Sequence, residues 1–149
     1  MRWEALSFAE LDTATLYKMM YLRQEVFVVE QDCPYQDADG DDLFATHLMG
    51  WSGDKLVAYL RMFEPSKKYV EASIGRVVTS PSVRGQGLGV EVMRRGIDLA
   101  HSRYSGISIR ISAQTRLRRF YENLGFEVVG DGYMEDGIPH LPMVKQCDD

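Results

Sequence analysis

VRGQGLGVEVMRR, residues 83–95, decides how this chain is read. Three glycines, Gly85, Gly87 and Gly89, fall within five positions, Arg84 precedes them, and a helical apolar pattern follows. Glycine costs up to about 1 kcal/mol per helical position relative to alanine. A helix start that tolerates it three times is bringing backbone N–H groups close to something. Two nucleotide-binding patterns fail here. A P-loop needs a lysine after its last glycine, and none follows; a dinucleotide fingerprint needs G-x-G-x-x-G, and counting from Gly85 and Gly87 the third place is Val90. What remains is a strand, a Ser80-Pro81 turn and a glycine loop, with Gln86 and Leu88 between the glycines, at a helix N-terminus. Converging amides and about half a positive charge favour an anion there, and Arg84 can add a bidentate contact. The physics points to a pyrophosphate; the rival explanation is tight helix–strand packing.

Outward from this loop, a strand over 71–79 stops at Ser80-Pro81, because proline cannot continue a central ladder. A helix over 87–103 carries Leu88, Val92, Met93, Gly96, Ile97 and Ala100 on one stripe. ISIRISA, 107–113, alternates isoleucine with polar residues, the period of a half-buried strand. A short helix over 114–124 ends at Gly125, and 126–129 and 141–145 read as the last strands. Upstream, Asp12 or Thr13 caps a helix that continues to Val26 and Phe27. Loop follows over 32–42, then strands over 45–51 and 55–63 joined by Ser52-Gly53-Asp54 as a hairpin. Antiparallel strands followed by strand–helix–strand–helix–strand predict an α/β (α+β) fold, a mixed sheet with helices on both faces. With no repeat or linker, the 149 residues read as one domain, 1–149, large enough to bury roughly 68–70% of its unfolded surface.

Hydrophobic content of 45% and charged content of 26% are ordinary for a soluble protein. No apolar run approaches a membrane span, and Glu4 and Glu10 interrupt the stretch where a signal peptide needs an apolar core. These features predict a cytoplasmic chain with no membrane partner. Cys33 and Cys147 lie far apart and read as free thiols rather than a disulfide or a zinc site. Asp37-x-Asp39-x-Asp41 opens like a calcium loop, but Asp42 stands where glycine is needed and Leu48 where glutamate is needed, so no metal is expected. The net charge of −5 is unevenly spread. Residues 24–54 hold eight acids and no Lys or Arg, whereas 84–119 hold eight arginines against Glu91 and Asp98. One segment attracts cations and the other anions. An acidic chain without a recognisable binding module is a poor partner for nucleic acid.

Arg84 to Gly89, read as R-x-x-G-x-G after a strand and turn, resembles the acetyl-CoA signature of the GNAT acetyltransferases. FYENLGFEVVG, 120–130, resembles that superfamily's second hallmark, a helix ending in F-Y-x-x-x-G-F, in the expected order about 35 residues on. LRQEVFVVEQDCPYQDADGDD, 22–42, and EDGIPHLPM, 135–143, are similar to the ElaA-like branch, so the likeness covers nearly the whole chain. It implies a mostly antiparallel sheet splayed between its fourth and fifth strands, with a bulge on the fourth and acetyl-CoA as co-substrate in the slot. Backbone groups of Val77, Val78 and Thr79 would bond the pantetheine arm, and the Val78 amide would hold the developing oxyanion. Arg84, Gly85, Gln86, Gly87, Leu88 and Gly89 would take the pyrophosphate. Gln114 stands where many members carry an asparagine facing the pantetheine, and Tyr121 matches the tyrosine that protonates the departing thiolate.

Several residues compete for the base that deprotonates the acceptor. Glu71 lies thirteen residues before Arg84, the interval at which histone-acetylating relatives place a catalytic glutamate. Glu30 lies in the branch-specific acidic stretch, and His47 and His140 could relay a proton through water. Arg76, inside an apolar strand, needs an acidic partner if buried. The implied reaction is direct acetyl transfer, in a ternary complex, to a small-molecule amine or to a protein or peptide amino group. The acids of 24–54 would form a negative rim that draws the amine in. Relatives often form homodimers. A non-catalytic acyl-CoA-binding module that senses acylation is the second reading.

Overall fold

A computed structural model describes residues 1–147; the last two residues of the expected domain lie outside the described residues. The chain runs β1 (Arg2–Ser7), α1 (Thr13–Arg23), β2 (Thr46–Ser52), β3 (Lys55–Phe63), β4 (Ala72–Thr79), α2 (Leu88–Arg103), β5 (Ile109–Gln114), α3 (Arg118–Glu122), β6 (Glu127–Val128), β7 (Tyr133–Glu135) and β8 (Ile138–Lys145). Asp12 caps α1, its Oδ1 accepting from the Thr15 amide at 2.7 Å. Beyond Arg23 the helix widens into a π-helical stretch, Gln24–Glu30, rather than continuing as the α-helix expected through Phe27.

The strands form one sheet in the order β1-β2-β3-β4-β5-β8-β6, with β7 on β8. Every neighbouring pair is antiparallel except β4–β5, which is parallel. The α/β (α+β) mixed sheet expected from the sequence is therefore present, with two strands that the reading did not include. β1 pairs with β2 along its full length, and β7 forms a hairpin with β8 around Asp136-Gly137, both at positive φ.

Alternation along the strands builds two cores. On β2, Leu48 faces one and Met49 the other; on β3, Ala58, Leu60 and Met62 face the first and Tyr59 the second. The first is closed by Val92, Met93 and Ile97 of α2, the second by Met19 and Leu22 of α1 with Val26. A strand covered on both faces reads as a near-continuous apolar run, which is the sequence of β3 apart from Lys55 and Arg61. Each fully buried large side chain contributes about 1.5–3 kcal/mol. Gly96 is a packing glycine, since a Cβ there would meet Leu60 Cδ2 at 2.7 Å.

Two irregularities shape the middle of the sheet. β4 and β5 pair only at Ala72↔Ile109 and Ser73↔Arg110, and then diverge. On its other side β4 slips against β3: Tyr59 faces Val78, but Arg61 faces Gly75, so β4 carries one extra residue. Arg76 lies in this bulge at φ 52, a left-handed conformation that costs a non-glycine residue roughly 1–2 kcal/mol.

Candidate active site

The divergence of β4 from β5 opens a cleft of about 450 Å³. Val77, Val78, Thr79 and Arg84 line one wall, and Ile111, Ser112, Gln114 and Tyr121 line the other. The π-helical stretch contributes Phe27 and Glu30, and the β7–β8 hairpin contributes Glu135, Asp136 and His140. A second hollow of about 320 Å³, containing Phe63 and Tyr69, shares Gly75, Arg76, Ser112 and the two hairpin acids with the first. The two spaces thus meet where the sheet splits.

At one end of the cleft stands the glycine loop. Ser80 follows β4, its Oγ accepting from the Ser82 amide at 3.3 Å, and Pro81 opens a single tight turn over Pro81–Val83. Gly85 and Gly87 have φ 84 and 76, and Gly87 is the uncapped N-cap of α2. The first bond of that helix is Glu91 N–H to Gly87 O, 3.1 Å, which leaves the Leu88, Gly89 and Val90 amides without helical acceptors. A Cβ at Gly85 or Gly87 would meet nothing within 4 Å, and at Gly89 only the Phe120 ring, at 3.7 Å. Tight packing therefore explains none of the three; they leave room outside the protein for something to come close.

Arg84 holds Glu30 in a two-pronged pair, Nη1 and Nη2 donating to the carboxylate at 2.7 and 2.6 Å. The hydrogen bond from Arg84 keeps the Glu30 carboxyl below its usual range. An anion arriving at the loop competes with Glu30 for the same guanidinium. Glu30→Gln is expected to tighten CoA binding about fivefold at low salt, an advantage that shrinks as ionic strength rises; calorimetric titrations at two salt concentrations check it.

Tyr121 is buried on α3 between the Phe120 and Phe126 rings, with centroids 5.0 and 6.0 Å away and both edge-on. Burial pushes its hydroxyl up to about 12, opposed only by Arg116; no protein hydrogen bond contributes to the shift. His140 Nδ1 donates to Ile138 O at 2.7 Å, which leaves its Nε2 lone pair 3.4 Å from Glu135. Gln114 is engaged twice, its amide nitrogen donating to Gln31 at 3.4 Å and its oxygen accepting from Arg116 at 3.0 Å. Cys33, a free and buried thiol, donates to Asp136 O at 3.3 Å and ties the hairpin turn to the end of the π-helical stretch.

The other base candidates are not brought to the cleft. Glu71 precedes β4, at the end where β4 and β5 still pair, and faces Arg110 at 3.5 Å. His47 is buried between Tyr59 and the Asp42 carbonyl; the carbonyl accepts from Nε2 at 2.9 Å, so Nδ1 accepts from the Tyr59 hydroxyl at 2.7 Å. Burial lowers the His47 pKa, against the pull of Asp42. The unfolded chain then binds more protons below about pH 6.5, so stability is full above that pH and falls as pH drops through it. Urea unfolding is expected to show lower stability at pH 5.5 than at pH 7.5, and His47→Gln to remove most of that difference.

Three of the acids expected to form the negative rim are tied to arginines instead. Asp37 is held by Arg23 and Arg76, Asp42 by Arg23 and Arg61, and Asp39 by Arg61 and Arg76. Burial acts to raise the Asp39 carboxyl, but the Arg61 hydrogen bonds, the Asp41 amide and the charges of Arg61 and Arg76 hold it well below the usual range. The segment lacks basic residues because its partners come from α1, β3 and β4, and buried guanidiniums demand carboxylates. Asp37 and Asp42 are buried and pin the loop, while Asp39 pairs at its solvent-exposed edge. Among the described residues, no group of three or more His, Cys, Asp or Glu could hold a metal ion, and no helix is long and apolar enough to cross a membrane.

A splayed β4–β5 pair ending at an uncapped, glycine-lined helix N-terminus is the arrangement of a GNAT acyltransferase. The acetyltransferase (GNAT) domain family matches residues 13–147, and the chain belongs to it. Within that family it is ElaA-like: it is 40% identical to protein ElaA of Escherichia coli K12 over 146 residues, 97% of this chain and 95% of that protein. A crystal structure of an acyl-CoA N-acyltransferase from Pseudomonas aeruginosa superposes with a TM-score of 0.92 at 40% identity, covering 97% of this chain and 99% of that one. An aminoglycoside 6'-N-acetyltransferase complexed with coenzyme A shares the fold, with a TM-score of 0.73 at 17% identity over 98% and 97% of the two chains.

Proposed function

We propose that the protein transfers an acetyl group from acetyl-CoA to an amine by direct attack in a ternary complex, acting as one cytoplasmic domain. The observation that carries this is the trio of glycines at the head of α2, which no internal contact explains. The loop over 84–89 would bind the pyrophosphate of the co-substrate through free amides and Arg84, once Glu30 yields. Val77, Val78 and Thr79 would hold the pantetheine arm as a neighbouring strand does. The second hollow, which meets the first at Arg76 and the hairpin acids, would receive the acceptor.

In the reaction a nitrogen–carbon bond forms and the carbon–sulfur bond breaks. The register spends the Val78 N–H on Tyr59 of β3, so a main-chain N–H of β4 that faces away from β3, such as that of Thr79, would steady the carbonyl oxygen as it gains charge. His140, its Nδ1 proton fixed on Ile138, takes the amine proton at Nε2, and Glu135 at 3.4 Å stabilises the imidazolium. Tyr121 supplies the proton that the leaving sulfur needs. A thiol-release screen with acetyl-CoA against amines, polyamines and peptides with free N-termini tests the reading. Acceptor-dependent thiol release supports it, and none with any class, although CoA binds, favours an acyl-CoA-binding role instead.

A further inference from the structure

We propose that Arg76 is a positioning residue, and that the loop carrying Asp37 clamps it so that the β4 bulge keeps the cleft open. The inference rests on the reading of the cleft as the acyl-CoA site, and it concerns what holds that site in shape.

A left-handed arginine in the middle of a strand persists only when its surroundings over-determine it. Arg76 has four such restraints. Its Nε donates to Asp37 Oδ1 at 2.8 Å, and its Nη2 donates to Asp37 O at 3.3 Å and to Asp39 Oδ2 at 3.4 Å. Its guanidinium also lies over the Tyr35 ring, 5.4 Å from the centroid. The clamp is itself fixed. Asp37 is almost wholly buried and receives Arg23 Nε at 2.9 Å on its other oxygen, Arg23 Nη2 at 2.9 Å on its carbonyl, and the Tyr35 hydroxyl at 2.8 Å. Arg23 closes α1, so α1, the acidic loop and β4 are locked to one another at this point.

The consequence falls on the next three residues. The extra residue at the bulge turns β4 away from β5 after only two paired positions, and Val77, Val78 and Thr79 then line the cleft instead of a β5 ladder. A bulge that relaxed would let β4 run on in its earlier register and close the space in which the thioester must lie. The acidic stretch thus acts through Arg76 on the acyl-binding backbone, with no contact to the substrate required.

Glycine adopts φ near +50° without strain, so two substitutions at one position separate the clamp from the conformation. Arg76→Ala removes the restraints and keeps the conformational penalty; Arg76→Gly removes both. The Arg76 side chain is partly exposed, and the Arg23–Asp42–Arg61–Asp39 pairs remain in either variant, so both are expected to fold. In the ligand-free protein, amide resonances of residues 77–79 are expected to shift in Arg76→Ala and to stay near wild type in Arg76→Gly. The CoA dissociation constant is expected to rise at least tenfold in Arg76→Ala and to stay within threefold of wild type in Arg76→Gly. Wild-type resonances and CoA affinity in Arg76→Ala would overturn the proposal, as would equal losses of affinity in the two variants. If the resonances behave as expected but the wild-type protein neither binds CoA nor turns over, the clamp stands and the acyl-transfer reading falls.

Discussion

Gly87→Val is expected to raise the dissociation constant for CoA about 100-fold while leaving the protein folded. The fold survives because a Cβ at this position meets no protein atom within 4 Å. Stability drops by roughly 1–2 kcal/mol, the cost of a left-handed conformation at φ 76 for a residue with a side chain. Binding suffers because the valine occupies the space outside the amides of α2. Losing one or two hydrogen bonds to a charged group, each worth about 1.5–3 kcal/mol, corresponds to about two orders of magnitude. Gly106 supplies the control: it has φ 81 and equally open surroundings, away from the cleft. Gly106→Val therefore carries a similar strain and is expected to leave CoA binding unchanged. Calorimetric titration of both variants, with unfolding curves alongside, separates a lost anion site from a weakened fold.

The second large effect belongs to Tyr121→Phe. Its ring contacts with Phe120 and Phe126 persist, so folding and CoA affinity are expected to stay near wild type. Turnover is expected to fall about 10²–10⁴-fold, the usual worth of a positioned proton donor. Because burial pushes the hydroxyl up to about 12, the wild-type rate is also expected to show no alkaline limb at tyrosine's ordinary pKa near 10. The same variant discriminates between the two readings of the chain. In a module that only binds acyl-CoA, removing this hydroxyl changes no rate, because there is none.

The parts of the fold written in local chemistry were legible. The Ser80-Pro81 stop, the stripe on α2 and the alternation of Ile109, Ile111 and Ala113 were read from spacing alone, and each has its physical counterpart. The split between β4 and β5 came from family resemblance, because a missing ladder leaves no periodic trace. β7 was missed although Asp136-Gly137, a strong two-residue hairpin signal, lies inside a stretch already singled out. β1 was missed because Arg2-Trp3-Glu4-Ala5 was weighed only as a targeting segment, yet its alternation sends Trp3 and Ala5 into the first core. The acidic segment misled for a different reason. Local charge counting cannot see partners that arrive from residues 23, 61 and 76, and three guanidiniums draw Asp37 and Asp42 out of the expected rim into a buried clasp. Of the base candidates, only Glu30 and His140 reached the cleft, since distance along the chain does not encode which end of a strand pair stays zipped.

The central claim is that main-chain nitrogens at the head of α2 receive the diphosphate of coenzyme A. A crystal structure of the protein grown with CoA tests it most directly. The account predicts phosphate oxygens at about 3 Å from amides within residues 85–90, Arg84 released from Glu30, and the pantetheine arm lying between β4 and β5. Clear density for the diphosphate elsewhere on the surface, with the Arg84–Glu30 pair intact, would contradict it.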